Sequence, residues 1–171
     1  MGEKYPLVSG YKAAAYRKVS IEYRLNTSNL EIAKNEQFKE VKQERLAELM
    51  DQRFTEFSVM GLDKTINLNI QFQNNSAIYY DWNSAEQVYI LSEYLKSNPT
   101  YKAFLKGHVC CSASMDMSIQ RAYKVYQDLI RLGIDKNRLS YEGFSNTQPI
   151  VPEINEESQQ MNRRVEVVFS E

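Results

Sequence analysis

The sequence predicts an α/β sandwich (α+β): a small mixed sheet of four strands with helices on one face, preceded by one further strand and a long helix. Three observations predict it. Ile66, Leu68, Ile70 and Phe72 alternate with Asn67, Asn69 and Gln71, the period of a half-buried strand. Two apolar runs at helical spacing follow, each with a stop residue behind it, Pro99 for the first and Gly133 for the second. Strand-like runs lie between and after these helices, so the order from residue 63 reads β-α-β-α-β-(α)-β.

Between Gly10 and Gly61 there is neither glycine nor proline, and the chain changes character near Gly61. Residues 18–25 alternate apolar and polar, which predicts a strand. Asn26, Thr27, Ser28 and Asn29 supply a turn, with Ser28 or Asn29 as helix cap. A helix is predicted over about 30–57, with Phe38, Val41, Leu46, Leu49, Met50, Phe54 and Phe57 forming an apolar stripe. Phe38, Leu46, Leu49 and Phe54 are expected to turn inward. Two readings of this helix stand: it packs on its own domain, or it docks on a partner and spaces the next domain from an anchor. Residues 1–60 are therefore expected to be an N-terminal extension and 63–171 the main domain.

Within 63–171, a strand is expected over 66–72, broken by Asn74, Asn75 and Ser76. A helix follows over 84–97, with Ala85, Val88, Leu91 and Leu95 on one side. A strand over 102–109 carries Gly107 and His108. The helix expected at 116–132 buries Ile119, Ala122, Leu129 and either Val125 or Tyr126. Strands over 138–144 and 164–169 close the sheet. A short helix is expected to start near residues 153–158, behind Pro149 and Pro152.

Composition excludes several classes of function. Lys plus Arg is 21 against 22 Asp plus Glu, so no bulk positive field is available for nucleic acid or anionic lipid. No window reaches the roughly 18 apolar residues of a membrane-spanning helix, so no transmembrane segment is expected. Cys110, Cys111 and the single His108 fall short of a structural zinc site, so no metal or cofactor is expected. No phosphate loop, Gly-x-Ser-x-Gly elbow or His-Glu-x-x-His run is present. A Cys110–His108 thiol catalyst lacks a third group to orient the imidazole. The expectation is therefore not an enzyme.

Short motifs carry a family resemblance. Gly107-His108, Ser118-Ile119-Gln120-Arg121-Ala122, Leu132-Gly133-Ile134 and Arg138-Leu139 come in order. Gly143-Phe144, Gln148-Pro149 and Asn162-Arg163-Arg164-Val165-Glu166 complete the series. Together they resemble the OmpA-like C-terminal domain, the peptidoglycan-binding module of outer-membrane protein A, peptidoglycan-associated lipoprotein and flagellar stator proteins. The resemblance covers roughly 63–171. It implies non-catalytic binding of the diaminopimelate of the peptidoglycan stem peptide. A carboxylate two residues after Gly-His takes the ligand's ammonium, and the arginine of Ser-x-x-Arg-Ala takes its carboxylate. Such charge-assisted hydrogen bonds are about twice as strong as neutral ones.

Only half of that clamp is kept. Arg121 stands at the arginine position, but Val109-Cys110 replaces Thr-Asp, and a thiol of reference pKa ~8.5 is mostly neutral at pH 7. The loop after Cys111 is short and lacks a glycine. Ser114 falls where Asn is common, and Gln73 near a frequent Asp. Asn162 and Arg163 belong to the motif before the last strand; they fix that strand or touch a bound peptide. Arg121 is read as ligand-binding or as a structural ion-pair partner. His108 is read as a hydrogen-bonded strand-end residue. Cys110 and Cys111 are read as small fillers, with a vicinal disulfide as the alternative.

The expected pocket is thus a degenerate one of Arg121, Cys110, Ser114, Gln73, Asn162 and Arg163. The expected function is an anchoring or protein-interaction scaffold in an envelope-spanning assembly such as a secretion system. Peptidoglycan binding is expected to be weak or absent, and the partners to be envelope proteins. The alternative is genuine stem-peptide binding that anchors an outer-membrane or lipoprotein component to the wall. Met1 to Pro6 contain no apolar stretch of a secretory signal. The resemblance implies the periplasm, with outer-membrane association in the full-length protein.

Overall fold

A computed structural model describes residues 36–111 and 114–171, with side chains from residue 43 onward. The strand expected at 18–25, the first turn of the long helix and the side chains of Phe38 and Val41 lie outside the described residues. Four helices and four strands follow in order: α1 (Glu36–Met60), β1 (Thr65–Asn67), α2 (Trp82–Ser97), β2 (Lys102–Gly107), α3 (Met115–Arg131), β3 (Leu139–Gly143), α4 (Glu156–Asn162) and β4 (Val165–Ser170). They form the expected α/β sandwich, an open mixed sheet of order β1-β4-β2-β3. β2 runs parallel to β3, and β4 pairs antiparallel with both β2 and β1.

One sheet face carries the core. Register places Ala103 opposite Phe169 and Leu105 opposite Val167, and all four side chains are buried. Phe57 of α1 and Tyr94 of α2 meet Phe169 at 5.5 and 5.3 Å between ring centroids. The stripe on α1 lies against this core: Leu46 and Phe57 are buried, while Leu49, Met50 and Phe54 are half-buried against it. Arg53 joins the stripe unannounced. Its guanidinium lies over the Phe57 ring, donates to the Asn67 carbonyl at 2.9 Å and pairs with Glu56.

Three local details depart from the sequence expectation, while the short helix before the last strand starts where expected. Ile66, Leu68, Ile70 and Phe72 are all buried as the alternation requires, yet β1 ends at Asn67, one last bond from Leu68 N to Val165 O follows, and Asn69 then adopts φ +54°. Past that kink, Phe72 and Tyr79 form a bridge across the Asn74-Asn75-Ser76 turn. Helix α2 starts at Trp82 rather than 84, because Asp81 is the cap and accepts from the Ser84 amide at 2.9 Å. Helix α4 begins at Glu156, behind the capping box of Asn155 and Ser158.

Ile119 is the clearest correction: it was expected inside and is 37% exposed. Helix α3 sits so low on the sheet that Ser118 and Ala122, not a large residue, face it. Gly107 and Gly143 lie opposite each other in the β2–β3 register. A Cβ on Gly107 meets the Ser118 carbonyl oxygen at 2.0 Å, and one on Gly143 meets Ser118 Oγ at 2.4 Å. With that contact closed, Ile119 is displaced to the rim beside Gly143. Val125 and Leu129, one and two turns on, enter the core.

Candidate ligand site

The low seating of α3 decides where Arg121 goes. The residue before Ala122 on the buried flank, it is 1% exposed at the end of β2. Its Nε donates to the Ser76 carbonyl and its Nη1 to the His108 carbonyl, both at 3.1 Å. The guanidinium lies 5.2 Å from the Phe72 ring centroid. Nη2 makes no hydrogen bond with the described residues. Burial, then the nearby Arg163 cation, lower its pKa to about 10, while Cys110 acts the other way.

Beyond Gly107 the chain leaves the sheet but stays tied to it, His108 N donating to Arg164 O and Val109 N to Ser145 O. This carries Cys110 into a cavity of about 220 Å³ together with Arg121, Arg163 and Ser114. Cys110 is buried, and its sulfur lies 3.4 Å from Arg163 Nη1. Arg163 is 3% exposed; it also donates to Gln160 Oε1 and pairs with Glu156. Burial acts to lower its pKa, but the Glu156 and Cys110 contacts outweigh that and raise it. Ser114 caps α3, accepting from the Met117 amide at 3.3 Å.

Four of the six expected pocket residues therefore converge: Arg121, Cys110, Ser114 and Arg163. The other two lie elsewhere. Gln73 is exposed, its amide paired with the Ile78 carbonyl, and its neighbours Asn74 and Asn75 line the cavity instead. Asn162 is fully buried and turned to the backbone: Oδ1 accepts from Ile150 and Val151 amides, and Nδ2 donates to the Val151 carbonyl. It shapes the connection into α4, so its motif position reports folding. Sequence reasoning missed Glu156 and Gln159, which reach the cavity from α4. Only the capping pattern Asn155-x-x-Ser158 signalled that helix.

His108 faces the other side of the sheet. It is 1% exposed, with Nε2 at 3.1 Å from Glu166 Oε2 and its ring stacked on Phe144 at 5.6 Å. Burial acts to raise the Glu166 pKa, but hydrogen bonds from His108 and Arg164 hold it down at about 2. Cys110 makes no hydrogen bond to His108, so the arrangement contains no thiol–imidazole pair. Both cysteines are free thiols. Among the described residues no group of three or more His, Cys, Asp or Glu is placed to hold a metal.

The described residues thus place a cation-lined cavity at the strand ends of an open mixed sheet. The chain belongs to the OmpA family, which matches residues 71–163. Motility protein B of Helicobacter pylori is 35% identical over 74 residues, 43% of this chain and 26% of that protein. The chain thus spans about a quarter of the length of the curated relatives it matches. The periplasmic domain of Helicobacter pylori MotB superposes with a TM-score of 0.54 at 22% identity, covering 64% of this chain and 78% of that one. The cell wall anchor of the T6SS from Pseudomonas aeruginosa superposes at 0.51 with 27% identity, covering 63% of this chain and 80% of the anchor.

Proposed function

We propose that this chain is the non-catalytic, periplasmic domain of a cell-envelope protein and serves as an anchoring or protein-interaction scaffold in an envelope-spanning assembly, with diaminopimelate-type peptidoglycan bound weakly or not at all. The similarity to a T6SS cell wall anchor and to motility protein B supports the setting. One observation carries the altered ligand reading. The side chain that occupies the ammonium-facing position is a thiol, and the group held against it is the Arg163 guanidinium. An incoming ammonium meets a cation there in place of a carboxylate. Removing one partner of a buried charge pair typically costs ~3–5 kcal/mol, a factor of hundreds or more in affinity.

In this reading the extension of residues 1–60 connects the domain at 63–171 to an outer-membrane-associated anchor, with α1 packed on the domain. A second reading is favoured by Glu156, a carboxylate at the cavity that sequence reasoning did not include. If Glu156 leaves Arg163 and takes the ammonium, the domain binds the stem peptide and anchors its protein to the wall. Peptidoglycan pull-down and calorimetric titration with meso-diaminopimelate separate the two. No retention and no heat are expected. Low-micromolar binding that is abolished by Arg121→Ala or Glu156→Gln overturns the scaffold reading in favour of wall anchoring.

A further inference from the structure

We propose that the cavity is a site for a carboxylate that carries no ammonium beside it, so that the clamp has been retuned to a simple anion. This rests on the reading that the zwitterion pair is lost, and it names what the remaining groups select. Two guanidinium groups, each more than nine-tenths buried, face the same space of about 220 Å³. That space equals about seven water molecules at ~30 Å³ each, room for a carboxylate and a short aliphatic chain.

The hydrogen-bond inventory shows what is missing. Arg121 Nε and Nη1 are satisfied by the Ser76 and His108 carbonyls, while Nη2 has no hydrogen bond among the described residues. Arg163 Nε and Nη2 are satisfied by Gln160 and Glu156, but the partner of Nη1 is the Cys110 sulfur at 3.4 Å, a weak acceptor. One terminal nitrogen on each arginine, Nη2 of Arg121 and Nη1 of Arg163, therefore lacks a strong acceptor among the described residues, and both belong to cations. A carboxylate has two oxygens with which to meet two such donors, and charge-assisted bonds of this kind are the strong ones. The Asn74 and Asn75 amides and the Ser114 hydroxyl complete a lining rich in donors.

Charge balance points the same way. Among the described residues Glu156 is the only carboxylate in the lining; it is paired with Arg163 and its side chain is 74% exposed. Asp116, in the first turn of α3, is exposed and outside the lining. Two cations against one anion leave the described lining net positive; burial first, and then the neighbouring Arg163 cation, lower the Arg121 pKa. An anion relieves that field. An ammonium adds to it.

Calorimetry on the unmodified protein tests this with two seven-carbon dicarboxylates that differ only in their amino groups. Pimelate has none; meso-diaminopimelate places an ammonium beside each carboxylate. Pimelate is expected to bind about tenfold or more tightly than diaminopimelate, and 1,5-diaminopentane, which keeps the ammonium groups and lacks the carboxylates, is expected to give no heat. Cys110→Asp, checked for native melting, is expected to reverse the order. If neither dicarboxylate binds, this inference is overturned while the scaffold reading stands. If diaminopimelate binds as tightly as pimelate or more so, both fall. If pimelate keeps its advantage in Cys110→Asp, the thiol is not what selects against the ammonium and the inference is overturned.

Discussion

Replacing Gly107 by alanine probes the contact on which the whole site is built. Gly107 ends β2 opposite Gly143 of β3, and α3 crosses both. An added Cβ stands 2.0 Å from the Ser118 carbonyl oxygen, 3.0 Å from its carbonyl carbon and 3.1 Å from Ala122 Cβ. Carbon and oxygen in close contact sit about 3.3 Å apart, so the helix must retreat by about 1 Å or more. The obstacle is backbone, and no rotamer change removes it. Retreat loosens Ala122, Val125 and Leu129, which are all fully buried. Overpacking a core typically costs about 1–3 kcal/mol and occasionally more, and a backbone obstacle beneath three core side chains belongs at or above the top of that range. In equilibrium urea unfolding, with a slope of roughly 1–3 kcal/mol per molar, the midpoint should fall by about 1 M or more. Gly133→Ala is the comparison. Its φ is +96°, but nothing lies within 4 Å of its Cβ, so it carries only the left-handed strain of about 1–2 kcal/mol. A Gly107→Ala midpoint above that of Gly133→Ala refutes the close-approach argument.

Three further outcomes follow from the contacts described. Arg138 donates to the carbonyls of Leu95, Asn98 and Tyr101 at 2.7–2.8 Å, so Arg138→Ala should cost about 2–4 kcal/mol in the same unfolding assay, and Arg138→Lys should recover only part of it. Asn162→Ala frees the Ile150 and Val151 amides and should raise hydrogen exchange across 149–153 while leaving β2 and α3 protected. Because the Glu166 pKa is depressed in the folded state, its stabilisation is present above about pH 4.5 and is lost as pH falls towards 2. Thermal melts should show that acid loss in the wild type, whereas Glu166→Gln should be less stable at pH 7 and have a flatter acid limb.

Much of the fold was legible because burial imposes periodicity. Ile66, Leu68, Ile70 and Phe72 are buried as their alternation demands, even though the hydrogen bonds to β4 end at Leu68. Side-chain alternation reports which face meets the core, while the ladder also needs a regular backbone, and Asn69 leaves it. Ile119 was misjudged for the opposite reason. Helical spacing assumes that the largest apolar side chain turns inward, but two facing glycines draw Ser118 and Ala122 onto the sheet and leave the rim for isoleucine. The cavity was legible only along the segments that carry motifs. Arg121, Cys110, Ser114 and Arg163 meet there, while Glu156 and Gln159 arrive through the placement of α4, which no local pattern encodes.

The two positions of the proposed clamp differ in what else holds them. Arg121 is fixed by the fold: it joins the Ser76 turn to the end of β2 through two carbonyls and covers Phe72. Removing it leaves two carbonyls without their donor inside the domain, whether or not a ligand binds. Position 110 has no comparable duty. Its side chain lies on the connection after β2, and its hydrogen-bond contact is the 3.4 Å approach of Arg163, itself already engaged by Glu156 and Gln160. No contact of the fold requires a carboxylate at that position, so under the proposed scaffold reading a small thiol is enough to fill the space. An arginine in the Ser-x-x-Arg-Ala helix is therefore weak testimony to diaminopimelate binding, because folding alone retains it. The residue after Gly107-His108-Val109 is the informative one, and thermal unfolding separates the two roles. Arg121→Ala should lower the midpoint sharply in the absence of any ligand, whereas Cys110→Ala should leave it nearly unchanged. Equal losses would remove the distinction between a structural and a ligand-facing half.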